Sequence, residues 1–191
     1  MMIRLGALTV CMLLALPATA MAQPKSSPLF QAFLQFCADP DMNPLEVRKA
    51  VEIAGGTLFK PETTTDFPYR MSAASWNVTV QGQKFLMNAG GGRVPHGAAM
   101  IQETLSCSVM GDDSDGAAQA ELKAWVGVPP YSPGSSFYDF VWDGQTRTPL
   151  VDGPTFRADS EGGKSWTLAI NGSGKFTTVM LTHFLKPTPK Q

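Results

Sequence analysis

Three observations predict an α+β fold, with an antiparallel sheet or sheets of about seven strands and two or three helices packed on one face. From Phe137 to Leu185 apolar and polar residues alternate in short runs separated by turn residues, so strand follows strand with no helix between. Two stretches near the start, and one after Gly111, carry apolar residues at helical spacing behind capping residues. Gln81-Gly82 and Asp143-Gly144 join alternating runs as hairpin turns would, although Gln-Gly is the weaker signal. Parallel α/β folds alternate helix and strand and do not fit this order.

The chain opens on a secretory signal, residues 1–22. Arg4 gives a thin positive start, Leu5 to Leu16 an apolar run, and Ala20-Met21-Ala22 small residues at the cleavage positions. The run is too short to span a bilayer, which needs about 20 residues. Removing 22 of the 191 residues leaves 169, the length of one domain, read as residues 23–185 with a flexible tail at 186–191.

Ser27-Pro28 caps a first helix, with Phe30, Phe33, Leu34 and Cys37 as its inward stripe. Asn43-Pro44 begins a second helix, Glu46 completes a capping-box pattern, and Val47, Ala50, Val51 and Ala54 face inward. Thr57 to Phe59 is a short apolar run, and Lys60 to Ala73 a polar connection rich in Pro and Thr. Trp76, Val78 and Val80 alternate into a hairpin that returns through Gln83 to Met87.

Asn88 to Gly97, with Gly90-Gly91-Gly92, reads as an irregular loop. Ile101 to Val109 alternate as a strand carrying Cys107, and Asp112, Asp113, Ser114 and Asp115 supply capping oxygens to a helix that Gly127 stops. Tyr138, Phe140 and Trp142 lead into the Asp143-Gly144 hairpin, whose return strand Pro149 assigns to a sheet edge. Trp166 to Ile170 and Lys175 to Leu185 complete the set. Alternation before Gln81-Gly82 echoes that before Asp143-Gly144, which suits either an internal duplication or two unrelated hairpins.

The whole chain carries 15 basic and 16 acidic residues, the basic ones scattered singly, so it has no footprint for nucleic acid. With the signal removed, Cys37 and Cys107 remain, an even count in a chain bound for an oxidising compartment. A single disulfide is the natural reading, and two buried thiols the rival. No cofactor or metal motif survives inspection: a calcium loop fails because Gly111 and Leu122 occupy its first and last ligand positions. A phosphate loop fails at Ala169 and Phe176, and no serine sits in G-x-S-x-G. Only His96 and His183 are present, too few for a zinc site.

Arg93 and His96, sharing the glycine-rich stretch, are the candidate binding residues; catalytic residues stay unknown. A helix ending in Cys37, a second ending Ala-Gly-Gly, then Leu-Ser-Cys-Ser-Val and an acid-capped helix ending Gly-Val-Pro-Pro resemble small exported proteins of uncharacterised function from Gram-negative bacteria. The resemblance covers residues 30–130. It implies a periplasmic setting and a Cys37–Cys107 bridge, and no catalytic residue. The expectation is a periplasmic or secreted non-enzymatic module that binds a protein or small molecule and keeps no membrane insertion after cleavage. The alternative is a periplasmic hydrolase using carboxylates or His96.

Overall fold

A computed structural model describes residues 26–40, 42–65, 70–96, 98–150, 162–173 and 175–189, without the side chains of 65, 70, 71 and 173. The signal segment and the last two residues of the expected tail lie outside these. Helix α1, Pro28–Phe33, runs into a π-helical turn, Leu34–Ala38; α2 is Pro44–Ile53 and α3 is Ala117–Val126. Nine strands follow in chain order: β1 Thr57–Thr65, β2 Arg70–Val80, β3 Gln83–His96, β4 Met100–Asp112, β5 Phe137–Trp142, β6 Arg147–Pro149, β7 Ser165–Ser173, β8 Phe176–Phe184 and β9 Thr188–Pro189. They form one antiparallel sheet ordered β1-β2-β3-β4-β8-β7-β5-β6, with β9 beside β4. Among the described residues no helix is long and apolar enough to cross a membrane.

The α+β class holds, and the strand count rises from about seven to nine among the described residues. Thr57–Thr65, read mostly as a connection, is an edge strand paired with β2 through two register shifts. Thr188–Pro189, in the stretch read as a tail, pair with Met100 and Ile101. Asn88–His96, read as an irregular loop, is the second half of β3 and pairs residue for residue with β4. Glycine shows no period-2 pattern because it has no side chain to alternate. Packing requires the glycine at Gly90, where a Cβ would stand 2.0 Å from the Ser72 carbonyl oxygen and 2.7 Å from Ala73 Cα.

One sheet face carries the core. Val78, Met87, Val109, Leu168 and Leu181 are buried there against Phe33 and Phe36 of the first helical segment and Leu122 of α3. The buried stripe of that segment is Leu29, Ala32, Phe33, Phe36 and Cys37, with Phe30 and Leu34 only partly covered. It is thus rotated from the expected Phe30-Phe33-Leu34-Cys37 stripe. The segment ends in the π turn, closed by Asp39 N–H to the Leu34 carbonyl at 2.9 Å. Cys37 on this turn is bonded to Cys107 of β4, with Cα atoms 5.4 Å apart. The opposite sheet face is polar at its centre, where Ser75 donates to Asn88 Oδ1 at 2.6 Å and Asn88 donates to Ser108 at 3.2 Å.

Caps form largely where expected, with different donors and acceptors. Asn43 accepts from Leu45 N–H at 3.0 Å, but its own N–H donates to the Pro40 carbonyl at 3.0 Å, so the Glu46 capping box does not close. At α3 the N-cap position is Gly116 in the left-handed region, and the cap is delivered by Asp113. Its buried carboxylate accepts from Ala118 N–H at 2.8 Å and Gln119 N–H at 3.2 Å. At the other end, the Arg147 guanidinium donates to the Trp125 carbonyl at 3.0 Å and lies 3.7 Å from the Trp125 ring centroid and 4.6 Å from that of Trp142. Burial pulls the Arg147 pKa below its ordinary value and raises that of the Tyr138 phenol.

Both hairpins exist, and their geometry separates them. Gln81 and Gly82 have φ of 53° and 84°, the two positive values a tight two-residue turn needs. Asp143-Gly144 belongs to a longer loop, since Trp142 pairs with Arg147. The Asp143 carboxylate organises it, accepting from Thr146 N–H at 2.7 Å and Gln145 N–H at 2.8 Å, and these bonds lower its pKa. The hairpin of β2 folds inward onto β3, whereas that of β5 folds outward onto the edge strand β6. The echo between the two halves therefore does not extend to equivalent pairing. Pro149 does sit on an edge strand, as its missing N–H requires.

Candidate ligand groove

Helix α2 covers only part of the sheet. Val47 and Val51 bury into the core, while Leu45 stays 76% exposed and Leu58 of β1 58% exposed. Between them lies a groove of about 650 Å³, inside the range of small-molecule sites. Pro44, Leu45, Arg48 and Glu52 of α2 form one wall, and Leu58 and Pro61 of β1 another. Trp76 and Leu105 contribute half-buried apolar surface, and the floor is Ala74, Ala89, Gly90 and Gly91. The floor is smooth because its residues are alanine and glycine, and β4 stands close to it: a Cβ on Gly91 would lie 3.0 Å from the Thr104 carbonyl oxygen.

A second compartment of about 370 Å³ continues from the first along β3 and β4, sharing Glu62, Ser72, Gly91 and Leu105 with it. Its other lining groups are polar, including Thr64, Arg93, Glu103 and Thr104. Arg93 Nη2 lies 2.9 Å from Glu103 Oε1, and Arg48 Nε lies 2.9 Å from Glu52 Oε1. The trough is thus apolar at the α2 end and carries ion pairs along its rim.

Of the two candidate binding residues, Arg93 reaches this trough. His96 stands at the end of β3 opposite Met100 and lines neither compartment. The other histidine, His183, stacks on Trp166 at a centroid distance of 4.0 Å, with Nε2 3.1 Å from the Gly163 carbonyl oxygen. It borders a cleft of about 510 Å³ with Asp39, Trp142, Asp143 and Lys164. The aromatic walls of that cleft already contact one another: Trp142 meets Trp166 edge to face at 5.0 Å. Leu45 and Leu58 are exposed apolar surface, which makes the α2 groove the stronger candidate site. Among the described residues no group of three or more His, Cys, Asp or Glu side chains is placed to hold a metal ion. No family model, curated protein or solved structure matches the chain.

The groove is not legible in the sequence. Its walls come from α2, β1, β2 and β4, and each contributes residues that read singly as ordinary strand or helix positions. The one signal is the Gly90-Gly91-Gly92 run, whose first two residues lie on the floor but which in sequence reads as an irregular loop.

Proposed function

We propose that the protein is an exported, periplasmic or secreted, non-enzymatic binding module that holds an apolar small molecule in the α2 groove. The observation that carries this reading is the groove itself: about 650 Å³, apolar-walled and floored by glycine and alanine. An apolar ligand there would cover Leu45 and Leu58, which water now wets, at a gain of about 25 cal/mol per Å² before ordering costs. Binding is favoured over hydrolysis because two of the three carboxylates lining the groove, Glu52 and Glu103, are engaged by arginines, and the third, Glu62, has no histidine beside it in the lining. Export is supported by the apolar run at Leu5 to Leu16 and by the Cys37–Cys107 bond, since disulfides persist in oxidising compartments.

The test uses the neutral fluorophore N-phenyl-1-naphthylamine. It should bind the disulfide-bonded protein saturably at one site. Ala74→Phe, which fills the floor, and Leu58→Lys, which puts a charge in the apolar wall, should each weaken it about ten-fold or more while leaving the melting temperature nearly unchanged. Linear, non-saturable binding, or affinity indifferent to both substitutions, would remove the groove from consideration.

A further inference from the structure

The charges along the trough select among apolar ligands by their head group. Arg48 is neutralised by Glu52 and Arg93 by Glu103, each at 2.9 Å. Among the described residues Glu62, which lines both compartments, is the one charged lining residue not matched by such a pair. It stands at the seam where apolar wall gives way to polar wall. A chain lying against Leu45, Leu58 and Trp76 therefore brings its end group to a carboxylate. An ammonium there gains a partner; a carboxylate meets a like charge, with both nearby arginines already engaged.

Building on the groove reading, we propose that the ligand is a cationic amphiphile: an apolar chain or ring system ending in an amine, its ammonium against Glu62. The site is partly open to water, so the preference is modest and salt-sensitive. It acts as a filter on head groups, and the apolar compartment supplies the affinity.

Decylamine, decanol and decanoate share one chain and differ in head-group charge at pH 7. Titrated below their aggregation limits at low salt, decylamine should bind about five-fold tighter than decanol, and decanoate more weakly than either. Glu62→Gln should bring decylamine to within about two-fold of decanol. Arg48→Gln, which frees Glu52, should widen the gap. All these positions are exposed, so folding is not at stake. If decanol binds but decylamine shows no advantage, or keeps it in Glu62→Gln, the head-group inference fails and the groove reading stands. If none of the three chains binds, both fail.

Discussion

Asp113 receives two backbone N–H groups at the start of α3 although it lies outside the helix, with Gly116 turning the chain between them. Helix N-termini leave such donors without partners, and at Ala118 the donor is buried. Asp113→Ala should therefore lower stability by about 1–2 kcal/mol, a fall of roughly 2–8 °C in Tm. Asp112→Ala and Asp115→Ala, whose carboxylates each take one exposed N–H, should cost less. Equal losses at all three positions would show that Asp113 is not the cap. Asp143 offers a test by titration. Bonds from Thr146 N–H and then Gln145 N–H lower its pKa, so its contribution to folding is present above the ordinary carboxylate value of 3.8. That contribution is lost as pH falls through the lower folded value. An NMR titration should place the Asp143 midpoint below 3.8, and Asp143→Ala should narrow its stability gap from the parent as the solution is acidified. A midpoint at or above 3.8 would contradict the loop geometry.

At the scale of elements, the disulfide ties the π turn to the middle of the sheet, and the chain runs from that turn directly into α2, the wall of the groove. Cys37 and Cys107 are both buried and lie 70 residues apart, so their bond removes about 4 kcal/mol of unfolded-chain entropy. The Cys37→Ala/Cys107→Ala double variant should lose stability up to that amount. Hydrogen exchange should accelerate most over residues 34–53, with β7 and β8 less affected. Uniform acceleration over the whole sheet would mean that the bond supports the domain at large and not the α2 wall. The elements themselves were legible to different degrees. Helices α1, α2 and α3 carried caps and apolar spacing, and Trp76–Val80 and Tyr138–Trp142 carried alternation. β1 lacked both signals because, as an edge strand, it buries little and its Thr-rich half resembles a connection. The π turn leaves no trace in spacing, and Leu29-Ala32-Phe33-Phe36-Cys37 and Phe30-Phe33-Leu34-Cys37 both fit a helical stripe, so spacing alone does not choose between them.

Across the whole molecule, the sequence is informative where a segment carries its own caps or alternation, and silent where five segments together make one surface. Cysteine count and export logic anticipated the Cys37–Cys107 bond because the inference needed no coordinates. The groove needed the register of β2, β3 and β4 and the tilt of α2 at once. The sheet edges follow the same division: Pro149 announced β6 as an edge, while the bulges that blunt β1 emerged only from pairing. The chain's four tryptophans are also distributed unevenly. Trp125, Trp142 and Trp166 touch edge to face in a row that begins at Phe33 and ends on the His183 stack. Trp76 stands apart in the groove. The protein thus contains two optical reporters. The coupled indoles should give a near-ultraviolet dichroism signature sensitive to the packing of α3 on the sheet, and the solitary indole an emission sensitive to a ligand bound as proposed in the groove. Trp76→Phe would silence the second and leave the first in place.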